Sequence, residues 1–203
     1  MTAAPGSDPH ASIPGLEIVD TVEGWLAAAE AHALAGLAAA VPSARAIVEI
    51  GNYRGRSTVA LALGARSGGG AQVYTFDPHT EFVGPRGGTF GRKDQAHLYA
   101  NLARADVGEQ VSVVTLDSRG IATVWPGPEV GLLFVDGDHR EAAVRADIEA
   151  WFPVLAADAV VCFDDVDFPD IARVVAELVT AGRLAPLGAV GKIAWFGKKV
   201  ARA

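Results

Sequence analysis

The chain of 203 residues carries one cysteine, Cys162, so no intrachain disulfide forms and a reducing cytoplasm is the expected home. No apolar run reaches the ~18 residues that cross a membrane. Met1 to Pro14 holds no basic segment followed by an apolar core, so no signal peptide is expected. Basic residues are also scarce, 17 Lys and Arg against 24 Asp and Glu, for a net charge of −7. That deficit argues against a nucleic-acid partner, because such affinity comes largely from Lys and Arg contacts to phosphate. Acidity gathered into one pocket favours instead a cationic cofactor or a divalent metal. The sequence lacks internal repeats, low-complexity tracts and any sign of a second domain.

What is present is apolar and regular. Half the residues are hydrophobic and the mean hydropathy is +0.25, as expected of one densely packed α/β domain. Residues 1–15, with Pro5, Gly6, Pro9, Pro14 and Gly15, read as a flexible tail, and residues 16–203 as a single domain. Trp25, Leu26, Ala29, Ala33, Leu34, Leu37 and Val41 recur at helical spacing and predict a helix over 21–41, ended by Pro42. Predicted strands at 46–50, 71–76, 110–116, 130–135 and 159–163 alternate with helices, and two further strands, 184–189 and 192–196, close the chain as an antiparallel pair. Five βα units followed by a hairpin give a Rossmann-like three-layer sandwich. Its mostly parallel sheet has seven strands in the order 3-2-1-4-5-7-6.

The organising stretch is Ile47-Val-Glu-Ile-Gly-Asn-Tyr-Arg-Gly-Arg-Ser-Thr58. Strand, glycine turn and helix follow one another as in a nucleotide-binding βαβ unit, where the helix N-terminus offers unpaired N–H groups to a ligand. The G-x-x-x-G spacing is not that of dinucleotide binders, and the turn lacks the Gly-Lys-Ser/Thr of phosphate-binding loops, which counts against a phosphohydrolase. Glu49 would repel a pyrophosphate and suits a ligand with a cationic end, such as the amino group of S-adenosylmethionine. The glycines also fit a plain strand-to-helix connection. Asp77 closes the second strand 26 residues after Gly51, where a ribose diol is held in doubly wound folds; a turn residue before Pro78 is the alternative. The Gly-rich loop 78–93, with His79, Phe82, Arg86, Phe90, Arg92 and Lys93, has the length of a lid or substrate loop.

Ligands in open α/β sheets bind beyond the carboxyl ends of the strands. Glu49, Asp77, Asp117, Asp136, Asp138, Asp164 and Asp165 all fall there. Asp117 and Ser118 either meet an adenine or cap a short helix. Strands four and five are expected to be neighbours, bringing Asp136 to Asp164 and Asp165. Clustered carboxylates repel, and a hard divalent ion such as Mg²⁺ relieves this; solvated turn residues are the competing reading. His139, three residues beyond Asp136, is placed as a general base or as a partner that orders Asp136 or Asp138. Trp125 and Trp151 either pack the core or wall a pocket.

Glu49-Ile-Gly-Asn-Tyr-Arg-Gly-Arg-Ser57 resembles the first cofactor motif of class I S-adenosylmethionine-dependent O-methyltransferases, closest to the E-I-G-x-Y-x-G-x-S of catechol and caffeoyl-CoA enzymes. Val135-Asp-Gly-Asp-His139, followed by a helix ending at Trp151, is similar to a bacterial small-molecule branch that includes macrolide-sugar O-methyltransferases. The resemblance covers most of 45–200. It implies that Glu49, Gly51, Asn52, Tyr53 and Ser57 surround the methionine part of the cofactor, that Asp77 holds the ribose, and that Asp117 and Ser118 lie near the adenine. It also implies Asp136, Asp164 and Asp165 at the metal positions, where plant and animal relatives have Asp, Asp and Asn, and His139 where they carry a catalytic Lys. Asp165 in place of Asn adds a negative charge, and Asp138 is a rival ligand. The implied reaction is metal-assisted methyl transfer to a hydroxyl of a small diol, a sugar of a secondary metabolite or a catechol. A metal-independent enzyme and a non-catalytic cofactor-binding protein are the alternatives. Relatives that self-associate through the N-terminal helix imply a homodimer.

Overall fold

The computed structural model describes residues 13–84 and 88–199. Residues 1–12 of the expected tail, and Arg86 and Gly87 of the loop, lie outside the described residues.

Strands β1 (Ala46–Ile50), β2 (Gln72–Phe76), β3 (Val111–Val114), β4 (Val130–Val135), β5 (Leu155–Phe163), β6 (Leu184–Val190) and β7 (Ile193–Lys198) form one sheet in the order β3-β2-β1-β4-β5-β7-β6. The first five run parallel, and β7 is antiparallel to both β5 and β6. This is the arrangement expected from the sequence. β1 and β4 lie at the centre, and every residue of both is buried; β4 is an unbroken apolar run, and β1 is apolar but for Glu49.

Successive side chains along a strand point to opposite faces, and this divides the core in two. Ile47, Leu132 and Phe134 face helices α1 (Ala28–Ala39), α2 (Arg56–Ser67) and α3 (Arg92–Arg104), whose Leu34, Leu61 and Leu98 complete that cluster. Val48, Ile50, Leu133 and Val135 face α5 (Glu141–Trp151) and α6 (Pro169–Thr180), through Val144, Ile148, Ile171 and Val174. The short α4 (Ser118–Ala122) lies on this second side, with Ala122 in the same cluster. Trp125 and Trp151 meet edge to face at 5.3 Å with Phe76 beside Trp151, and Trp151 is fully buried, so these rings pack core rather than wall a cleft.

Two segments depart from the sequence reading. The helix expected from residue 21 begins at Ala28, after a 3₁₀ turn at Leu16–Thr21. Glu30 sets the start: its carboxylate accepts a hydrogen bond from Ala27 N at 2.7 Å, and Trp25 is left outside the helix and 57% exposed. Ala31, Leu34, Ala35 and Ala38 of α1 are buried in the core beside α2. Part of the 78–93 loop is ordered as a ribbon, Phe82–Val83 against Thr89–Phe90, whose Phe90 ring lies 5.1 Å from Tyr53 and 5.8 Å from Trp25.

Candidate active site

Glu49, the charge at the end of an apolar strand, is fully buried. Its carboxylate accepts hydrogen bonds from Ser57, Thr58 and Thr75 hydroxyls, each at 2.6 Å. Burial pushes its carboxyl up to about 7, against the pull of the three hydroxyls. Glu49 and Ser57 therefore bind each other, tying β1 to the start of α2 and to β2 beneath the turn.

The turn itself is built on Gly51, whose φ of 85° lies in the left-handed region. A Cβ here would come within 2.1 Å of the carbonyl oxygen of Asp136, so the turn touches the end of β4 as only glycine permits. Asp77, beyond β2, braces the same turn. Its carboxylate accepts from Asn52 N at 3.2 Å, Tyr53 N at 3.3 Å and His79 N at 2.8 Å. Asn52 is 3% exposed and both side-chain amide atoms are buried without a protein partner; His79 is 4% exposed with Nε2 in the same condition. Buried polar atoms left unpaired cost about 1–3 kcal/mol each, so this is where a polar ligand has most to give. The family resemblance points to Asn52 in advance, whereas the His79 ring carries no mark in the sequence that separates it from a loop residue.

Asp117 and Ser118 stand at the start of α4. Asp117 caps α4 by accepting from Arg119 N at 2.9 Å, and it is also ion-paired to the Arg119 side chain, which holds its carboxyl below the usual range. The Ser118 hydroxyl is 3.4 Å from Asp147, whose carboxyl burial raises to about 6.

The strand-end acids converge at β4 and β5. His139 Nε2 lies 3.0 Å from Asp165 and 3.9 Å from Asp136. One ligand atom from each of Asp136, His139 and Asp165 falls within 4.8 Å of the others. Asp164 is turned toward Lys192, whose ammonium is 2.5 Å from Asp164 and 3.2 Å from Asp165; its second oxygen, Oδ1, is buried without a protein partner. The rival ligand Asp138 is drawn off by an ion pair with Arg140.

The charges explain one another. Crowding out of water and the neighbouring Asp164 push the Asp136 carboxyl well above the usual range. Asp164 is raised too, mainly by burial, although Lys192 opposes it. Burial would raise Asp165 as well, but hydrogen bonds and charge from His139 and Lys192 bring it down to about 2. Lys192 is held above its usual range, since the facing carboxylates outweigh its own burial. Three carboxylates, one of them with an orphan oxygen, and an imidazole are a donor set that fits a hard divalent ion. Lys192 was missed in the sequence because only strand pairing brings it here: Phe163 pairs with Ala194, which extends to set Lys192 opposite Asp165.

Residues 48–166 match the family described as methyltransferase domain. Similar solved structures include cofactor-bound Rv0187 from MTB, 24% identical over 96% of this chain and 92% of that one, with a TM-score of 0.67. The O-methyltransferase TomG from Streptomyces achromogenes, in complex with SAM, is 18% identical over 92% of this chain and 90% of that one, with a TM-score of 0.66. The O-methyltransferase from Bacillus cereus, in complex with SAH, is 20% identical over 93% of each chain, with a TM-score of 0.65. With more than half its length matched to that family, the chain belongs to the methyltransferase-domain proteins and is an S-adenosylmethionine-dependent methyltransferase.

Proposed function

We propose that the chain transfers the methyl group of S-adenosylmethionine to a hydroxyl of a small diol-containing molecule, a sugar of a secondary metabolite or a catechol, with assistance from a divalent ion such as Mg²⁺. The observation that carries this reading is the meeting of Asp136, His139 and Asp165 beyond β4 and β5, with Asp164 beside them on Lys192, in backbone contact with the glycine turn through Gly51.

In this reading the methionine part of the cofactor lies on the turn at Gly51, Asn52 and Tyr53. The orphaned amide of Asn52 supplies both a donor and an acceptor to it. Asp77, already holding three backbone N–H groups, has lone pairs left for the ribose hydroxyls, and His79 lies beside it. Glu49 and Ser57 act from below by fixing the turn. Asp117 and Ser118 border the adenine end as parts of α4.

Asp136, Asp164 and Asp165 would hold the ion. Bound there, it would supply positive charge that favours loss of the acceptor's proton. His139 accepts that proton, and the imidazolium that forms faces two carboxylates, Asp165 at 3.0 Å and Asp136 at 3.9 Å. The methyl group then moves in line from sulfur to oxygen, the sulfur keeping the electron pair of the broken bond. Holding both reactants above one sheet edge supplies proximity and orientation.

The test is transfer to a panel of sugar and catechol diols by wild type, Asp164→Ala and His139→Ala. Activity is expected to fall at least ~100-fold in each variant, and EDTA is expected to silence the wild type. Activity indifferent to EDTA and to loss of Asp164 would remove the ion; an unchanged pH–rate profile in H139A would remove the base.

A further inference from the structure

The ion pair at the bottom of the acidic cluster is held from several sides. Lys192 N donates to Glu30 Oε1 at 2.8 Å, and Lys192 O accepts from Val166 N at 3.0 Å. The preceding Gly191 has φ 56°, and a Cβ there would meet the same Glu30 oxygen at 2.1 Å. Glu30 itself is 4% exposed and comes from α1, on the far side of the sequence. The β6–β7 turn is thus clamped to α1 and to the segment after β5, and the clamp delivers one ammonium group to two adjacent carboxylates. A surface lysine would not need such anchoring.

We propose that Lys192 is a tethered cation that competes with a divalent ion for Asp164 and Asp165, and so sets how tightly the ion is held. This rests on the metal reading for the identity of the competitor. A chain with several carboxylates packed at one strand edge needs positive charge there to fold, and a lysine fixed by its own backbone supplies it permanently. The arriving ion then has to displace or share that ammonium, since a lysine within 3.2 Å of both carboxylates repels a second cation at the same oxygens. Asp165 presents Oδ1 to Lys192 and Oδ2 to His139, whose Nε2 is 3.9 Å from Asp136. Lys192 acts through Asp164 and Asp165 rather than on the reacting atoms, and is a positioning residue.

The experiment is titration of the full-length protein with Mn²⁺ alone, followed by electron paramagnetic resonance of the free ion, for wild type, K192M and K192R. K192M keeps the stem and removes the charge, and is expected to bind Mn²⁺ at least ~10-fold more tightly, with K192R close to wild type. A lysine with only a structural role would give weaker binding when lost, never tighter. Equal affinity in wild type and K192M would remove the competition while leaving the metal reading in place. Binding by neither protein would remove both. If K192M is markedly less stable than wild type, a rise in its Tm on adding Mn²⁺ larger than that of wild type supports the competition, and no larger rise overturns it.

Discussion

Replacing Glu49 with Gln tests whether a buried charge under the cofactor turn is tolerated rather than exploited. The carboxyl has a value of about 7 in the folded chain against 4.5 when solvated. Between those values the folded state binds more protons than the unfolded one, so stability falls as pH rises through this window. That difference corresponds to roughly 3 kcal/mol in total, and to about 2.5 kcal/mol between pH 5 and pH 8. Full burial means that solvent does not screen this effect. Glutamine has the same shape and still pairs with the Ser57, Thr58 and Thr75 hydroxyls, each of which both donates and accepts. Near pH 5 the two proteins are expected to unfold within ~1 kcal/mol of each other. At pH 8 Glu49→Gln is expected to be the more stable by about 2–3 kcal/mol, a shift of roughly 1 M in the urea midpoint for a chain of this size. The other titrating groups are common to both proteins and largely cancel, Asp136 and Asp77 being the ones that feel the Glu49 charge. The assay is urea unfolding of the ligand-free protein by far-ultraviolet circular dichroism at both pH values. Midpoints that run parallel from pH 5 to 8 would refute the reasoning, and would mean that Glu49 stays ionised.

Gly51→Ala is expected to destabilise the fold by at least ~2 kcal/mol, measured by the same unfolding assay, because a Cβ overlaps the Asp136 carbonyl and φ is positive. Little or no loss would show that the turn and β4 separate easily. Asp77→Asn replaces one acceptor oxygen with a donor facing backbone N–H groups, and is expected to weaken S-adenosylhomocysteine binding ~10-fold or more while costing about 1–2 kcal/mol of stability. An unchanged dissociation constant would assign Asp77 to the turn alone.

The sheet was legible because its signals are local: apolar runs that end at Gly51, Asp77, Asp136 and Asp164 mark both the strands and the edge where ligands gather. What escaped depends on contacts between distant residues. Glu49 reads as ligand-facing because a carboxylate in an apolar strand invites a cation, yet its three partners stand 8, 9 and 26 residues away and become visible only once β2 and α2 are packed. Lys192 follows a glycine in a hairpin and looks like an ordinary turn lysine; antiparallel pairing with β5 puts it against Asp164 and Asp165. The start of α1 was misjudged because Trp25 and Leu26 have helical spacing, while the capping carboxylate of Glu30 fixes the first turn later. Asp117 fits both a ligand edge and a helix cap in sequence, and its hydrogen bond to Arg119 N is the cap.

The account depends most on S-adenosylmethionine docking at the turn between Gly51 and Asp77. Calorimetric titration of the full-length protein with S-adenosylhomocysteine measures this directly. A single saturable site per chain, weakened by replacing Asn52 with Ala, is the result the account predicts. Absence of any binding of either the donor or its demethylated product would contradict it.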